Sequence, residues 1–221
     1  IPALKQRTQT LAGQTSLPTE NGFYMCNNTT STTTNPFTNL TNGTNNAVEL
    51  PISVSTPMSV IAHTHNSPSN TFYSVPSWED LDDFSKYMQE NPTFVDSENL
   101  VFIVITADGT RYALTINTIE LFKDFFYWPK YDIANYDYSK LLRKNNAMTE
   151  YYYGNPSANP PVLPKIKENS TSNSQDLKHF LNMLQVGVAG VDVFEVNSTY
   201  TTFTQVTYNP NTNQIARTNC N

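Results

Sequence analysis

The chain has 221 residues, enough for one domain with insertions or one domain with a small extension. Only 14% of residues are charged and the net charge is -6, which argues against nucleic acid as a partner. No apolar run approaches the roughly 20 residues of a membrane span.

Residues 1–17 read as a short helix or arm around Leu4 and Leu11. The aromatic-rich run from Gly22 to Cys26 predicts a buried strand. Residues 27–46, almost all Asn, Thr and Ser, predict a loop with no core to offer. Leu50 to Ser55 alternates apolar and polar, with Ile52 and Val54 on one face, and predicts a strand. Pro57 separates it from a second strand, Met58 to His65. Residues 66–76 form a loop containing Pro and Ser.

Ser77 to Glu90 reads as a helix, with Trp78, Leu81, Phe84 and Met88 at helical spacing. Ser77 suits the N-cap, and Glu79 and Asp80 suit the positive end of the helix dipole. Asn91-Pro92 stops it. Leu100 to Thr106 is a dense β run, Asp108-Gly109 signals a hairpin, and Arg111 to Ile116 returns as its partner. Residues 118–127 predict a short helix. The Tyr-rich segment 127–153 reads as rings packed over the domain, helical in part from Tyr138 to Tyr152, and 154–174 as a loop. Gln175 to Gln185 predicts a helix, and Val191 to Val196, Phe203 to Tyr208 and Gln214 to Thr218 predict strands. The order implies an α/β or α+β fold.

Cys26 and Cys220 leave two possibilities open, one disulfide tying the C-terminus to an early strand or two thiols. Ile1 in place of Met leaves room for a signal peptide, propeptide or upstream domain. With the Asn- and Thr-rich surface and two cysteines, it favours an extracytoplasmic location. Asn39 and Asn197 stand in Asn-x-Ser/Thr sequons, which so much Asn and Thr produces by chance.

Two of the three histidines are His63 and His65, at the end of an apolar run. Residues i and i+2 of a strand point to one face. With Asp80 brought back by the next helix, the three side chains can make a zinc site whose fourth position stays open for water. Each part also has a plainer meaning. Ser77-x-x-Asp80 is a capping pattern, and a His-x-His pair can simply be polar residues at a strand end. Capping and function do not exclude each other. Amidohydrolase barrels and metallo-β-lactamases need several further histidines, and a cupin needs a Glu soon after the pair and a later His. Only His179 remains, and between Lys178 and Phe180 it reads as structural or surface.

His63-Thr64-His65 followed by Ser77-x-x-Asp80 resembles the JAMM/MPN+ (JAB1-like) zinc metalloprotease motif, a Glu, then His-Ser/Thr-His, then Ser-x-x-Asp. More closely, Glu20 to Met25, His63 to His65 and Gly190 to Cys220 are similar to the JAB-like proteins of Bacteroidetes. The likeness spans residues 18–125 and, more weakly, 175–221. It implies a JAMM-like α/β fold, a mixed sheet flanked by helices with a C-terminal α/β extension. Residues 1–17 would be an arm, 18–126 the catalytic core, and 127–221 a Tyr/Asn-rich insertion with a helix and strands packed on the same body.

The resemblance implies hydrolysis of peptide or isopeptide bonds, with one Zn2+ held by His63, His65 and Asp80. Glu20 would be the general base, with Glu49, which opens the next strand, as the rival. Ser77 would stabilise the oxyanion. The partner implied is a protein or peptide substrate. Two alternatives stand beside this, a non-catalytic binding module on the same fold and a zinc hydrolase of a non-peptide amide. Two departures from the family fall in the loop before the helix. Eleven residues (66–76) separate His65 from Ser77, longer than usual, and Asn66 stands where Pro is frequent.

Overall fold

Helix α1 (Pro2–Ala12) leads into strand β1 (Gly22–Cys26). The computed structural model describes residues 2–26, 37–42, 48–51, 54, 56–66, 73–96, 99–170 and 172–220. Short strands β2 (Phe37–Asn39), β3 (Thr41–Asn42) and β4 (Val48–Glu49) precede the long β5 (Met58–His65). Then come α2 (Trp78–Glu90), β6 (Val101–Thr106), β7 (Arg111–Ile116) and α3 (Ile119–Phe125). Helix α4 (Tyr138–Met148) runs into a π turn, Thr149–Tyr153. The chain finishes with α5 (Asn173–Val186), β8 (Val191–Val196), β9 (Phe203–Asn209) and β10 (Gln214–Asn219).

The result is a mixed α/β fold around an eight-stranded sheet in the order β10-β9-β8-β7-β6-β5-β1-β2. Strands β5 and β6 are parallel and joined through α2, as a parallel pair requires a crossover. The other pairings in the sheet are antiparallel. Strand β7 pairs directly with β8, so the sheet runs unbroken from the first half of the chain into the last.

The period of two along β5 divides the core. Val60 and Ala62 join Leu11 of α1 and Phe23 in a cluster on one face. Ile61 joins Trp78, Leu81 and Phe84 of α2 in a larger cluster on the other. His63 and His65 follow Ile61 in that alternation, so they face α2. Among the described residues, no helix is long and apolar enough to cross a membrane.

Two local expectations change, and one open alternative is decided. Within the stretch 27–46, residues 27–36 and 43–46 lie outside the described residues, but Phe37–Asn42 is not a loop. Phe37 packs edge-on against Phe23 at 5.2 Å and Leu40 is buried in the core, two apolar residues that the polar run conceals. The alternation at Leu50–Ser55 does not mark the strand. Val48–Glu49, just before it, pairs with Thr41–Asn42, Leu50, Pro51 and Val54 are not in strand, and Ile52, Ser53 and Ser55 lie outside the described residues. Cys26 and Cys220 are not joined. They sit in β1 and just after β10, six strand spacings apart across the sheet, or roughly 29 Å at about 4.8 Å each. A disulfide needs Cα atoms within about 7 Å.

The tyrosines of 127–153, expected to pack over the domain, are divided. Tyr127, Tyr151 and Tyr152 are buried, while Tyr136, Tyr138 and Tyr153 are exposed.

Candidate metal centre

Helix α2 begins with a complete capping box. Ser77 Oγ accepts from the Asp80 amide at 3.0 Å, and Asp80 Oδ2 accepts from the Ser77 amide at 2.6 Å. The box turns the Asp80 carboxylate back toward the sheet. There Oδ2 also lies 2.8 Å from His65 Nε2, and Oδ1 lies 2.9 Å from His63 Nε2. All three side chains are largely withdrawn from solvent.

The two histidines are not equivalent. His65 Nδ1 stands 3.3 Å from the Tyr73 carbonyl and Nε2 2.8 Å from Asp80 Oδ2; both partners are acceptors, so without a metal both ring nitrogens carry hydrogen. His63 Nε2 is buried and within ion-pair distance of Asp80, but off hydrogen-bond alignment with it. Burial alone would lower the His65 pKa. The Asp80 charge and hydrogen bond, Glu20 and the Tyr73 carbonyl outweigh it and hold the group at about 9. Burial would raise Asp80, but His63 and His65 hold its carboxyl well below the usual range.

The donor set fits a metal ion. Two imidazole Nε2 atoms and a carboxylate oxygen lie within 4.8 Å of one another, and a buried His-His-Asp group of this kind could hold a metal. Ligand atoms about 2.0–2.1 Å from a tetrahedral ion would be about 3.3 Å apart, so the direct contacts of His65 with Oδ2 and His63 with Oδ1, at 2.8 and 2.9 Å, would open to admit one. The Nδ1 contact of His65 with a backbone carbonyl is the outer support that metal-bound imidazoles usually have.

Strand pairing delivers Glu20 to the same place. In the antiparallel β1–β5 pair, Gly22 is opposite His63, and the Asn21 and Thr64 backbones bond just beyond it. Continuing the register sets Glu20 beside His65, on the face that His63 and His65 share. Glu20 lines a cavity of ≈ 360 Å³ together with His63, His65, Ser77 and Asp80. Burial pushes its carboxyl pKa up, His63 and His65 pull it down, Asp80 pushes it up, and the net direction is upward. Glu49 is exposed on β4, in the separate two-stranded sheet, and does not line this cavity.

Other residues hold this geometry and carried no sequence signal. Asn66 donates from Nδ2 to the carbonyls of Leu17, at 3.0 Å, and Thr19, tying the approach to Glu20 onto the end of β5. The entry to α2 is pinned from three sides. Ser74 donates to Asp176 of α5 at 2.9 Å, Thr110 donates to the Ser74 carbonyl at 2.8 Å, and Tyr152 donates to the Pro76 carbonyl at 2.7 Å. These partners are 36 to 102 residues apart in sequence, so no local pattern could reveal them. His179 is half-buried on α5 and hydrogen-bonds Gln175, a structural place as expected. Phe102 and Phe84, stacked at 5.4 Å, form the apolar wall beside His63.

Residues 67–72 of the loop before α2 lie outside the described residues, but Asp80 reaches both histidines all the same. Compared with protein-family models, curated proteins and solved structures, the chain matches none.

Proposed function

We propose that this chain is a zinc-dependent hydrolase of peptide or isopeptide bonds with a JAMM-like fold and centre. The carrying observation is the convergence of His63 and His65 Nε2 on the Asp80 carboxylate, three side chains whose donor atoms lie within 4.8 Å of one another. Zinc suits two neutral imidazoles and one carboxylate with an open fourth position. The parallel β5–β6 pair around α2, with β1 and β7 antiparallel on either side, supports the JAMM-like reading.

Zinc bound there would supply Lewis acidity and lower the pKa of a water toward about 7. The chain's own residues would do the rest. His63, His65 and Asp80 hold the ion, with the Tyr73 carbonyl keeping His65 in the tautomer that presents Nε2. Glu20, its carboxyl raised by burial, accepts the proton of the attacking water and passes it to the leaving nitrogen. Ser77 Oγ uses a lone pair for the Asp80 amide, so its O–H is free to donate to the developing oxyanion. The site lies beyond the carboxyl end of β5, where α/β sheets commonly hold ligands.

The test is elemental analysis with a peptide-hydrolysis assay of the full chain. The expected result is about one zinc per chain, retained in Glu20→Gln while turnover falls by about 10²–10⁴-fold. Protein that takes up no zinc, or a Glu20→Gln variant as active as the parent, overturns the reading.

A further inference from the structure

We propose that the cavity selects a substrate with a Lys or Arg side chain beside the scissile bond, held by Glu79 and Glu168 and the ring faces of Tyr73 and Tyr153. This rests on the hydrolase reading above and names its substrate class. Apart from Glu20 and the three metal-binding side chains, the charged residues lining the cavity are Glu79, Asp83 and Glu168. Among the described residues no Lys or Arg lines it. His63, His65 and Asp80 line the same space, so the acidic wall and the reacting end share one cavity.

The two glutamates are held by neutral partners. Tyr153 donates its hydroxyl to Glu79 Oε1, and the Tyr73 hydroxyl hydrogen-bonds Glu168. Burial pushes the Tyr73 hydroxyl up, and Glu168 and Glu79 push it further, so both carboxylates bear on one ring. Among the described residues, neither glutamate is in an ion pair. Two lysines are engaged elsewhere, Lys165 with Glu150 and Lys144 with Asp82.

Hydrogen bonds from phenols fix where the carboxylates stand without neutralising them. An entering ammonium or guanidinium therefore meets two carboxylates outside any ion pair, beside two tyrosine rings. Low-dielectric walls, here Phe84, Phe102 and Ile61, focus that field. The same wall repels an acidic side chain, so selection works against wrong substrates as well as for right ones.

The test is fluorescence anisotropy with labelled peptides that differ at one position, Lys, Arg, norleucine or Glu. The binding partner is the full zinc-loaded chain carrying Glu20→Gln, which holds peptide without cleaving it. The Lys and Arg peptides are expected to bind about tenfold tighter than norleucine at low salt, with the Glu peptide weakest. Raising the salt should erode the preference. Adding Glu79→Gln and Glu168→Gln should abolish it, and Glu79→Lys with Glu168→Lys should invert it. Glu79 and Glu168 are exposed, so both pairs of changes leave the core intact. Equal binding of Lys and norleucine peptides, or a preference that survives the double Gln variant, overturns the inference. Binding is read without turnover. A zinc-loaded parent that cleaves nothing therefore sinks the hydrolase reading, while unselective binding beside normal cleavage sinks this inference alone.

Discussion

Gly22 lies directly across the β1–β5 pair from His63, and only a residue without Cβ fits there. A Cβ on Gly22 would stand 2.7 Å from the Ala62 carbonyl oxygen, 2.8 Å from Leu40 Cδ1 and 3.2 Å from His63 Cβ. The first of these neighbours is backbone and cannot rotate away. Gly22→Ala should therefore push β1 from β5, costing about 1–3 kcal/mol. Because Glu20 hangs from the same strand, hydrolysis should fall with stability. Chemical denaturation and an activity assay together check this, and an unchanged midpoint with full activity would sink it.

Ser77 and Asp80 share the capping box but differ at the metal. Ser77→Ala should lose the cap, about 0.5–2 kcal/mol, and slow turnover by about 10²–10³-fold while zinc stays bound. Asp80→Asn should lose zinc. Denaturation curves and metal content separate the two. Loss of zinc in the Ser77 variant would mean that the cap, not the ligand, dominates.

Asn66 should act as a positioning residue. Asn66→Ala frees the carbonyls of Leu17 and Thr19 and loosens the approach to Glu20, but touches no metal ligand. The expected result is lower kcat with KM and zinc content close to those of the parent. A merely structural role would instead lower stability and leave the kcat of the folded fraction intact.

Tyr152→Phe leaves the Pro76 carbonyl without its partner in a buried place. The cost should be about 1–3 kcal/mol. Amide hydrogen exchange at the start of α2 should quicken more than exchange in β6. Uniform quickening across the chain would show that the bond has no special hold on this helix.

The metal-free protein should lose stability on the alkaline side. His65 is held at about 9 against an ordinary 6.5, so its contribution is complete below 6.5 and disappears as pH rises through about 9. Asp80 is held well below 3.8, so its contribution is present above 3.8 and lost as pH falls below it. Melting in chelator should thus show a maximum between 3.8 and 6.5 and a decline toward pH 9. His65→Gln should flatten that alkaline decline. Zinc affinity should move the other way and rise with pH, because the metal needs neutral imidazoles. A metal-free Tm that is level from pH 6 to 9 contradicts the His65–Asp80 coupling.

Much of the centre could be read from local rules. A period of two puts His63 and His65 on one face, and a Ser N-cap sets the acidic N3 residue at the mouth of α2. Both hold within a few residues, and both stand in the structure. Glu20 against Glu49 was different, because each precedes a strand and only pairing separates them. Strand β1 lies against β5 and carries Glu20 into the cavity, whereas Glu49 belongs to the small sheet of β3 and β4. The hidden strand at Phe37–Asn39 was lost in the polar run around it. Its reason, packing of Phe37 on Phe23, lies in a contact rather than in a pattern.

The sequence by itself determined the candidate ligands and the helix that carries Asp80, because periodicity and capping act over three or four residues. Tertiary structure alone decided that Glu20 and not its rival Glu49 lines the cavity, that Cys26 and Cys220 stand on opposite sides of a wide sheet, and that Glu79, Glu168, Tyr73 and Tyr153 form one wall. Those relations depend on strand order and on hydrogen bonds between distant segments. Short-range propensity carries no information about which strands become neighbours, and the centre is assembled from such neighbours.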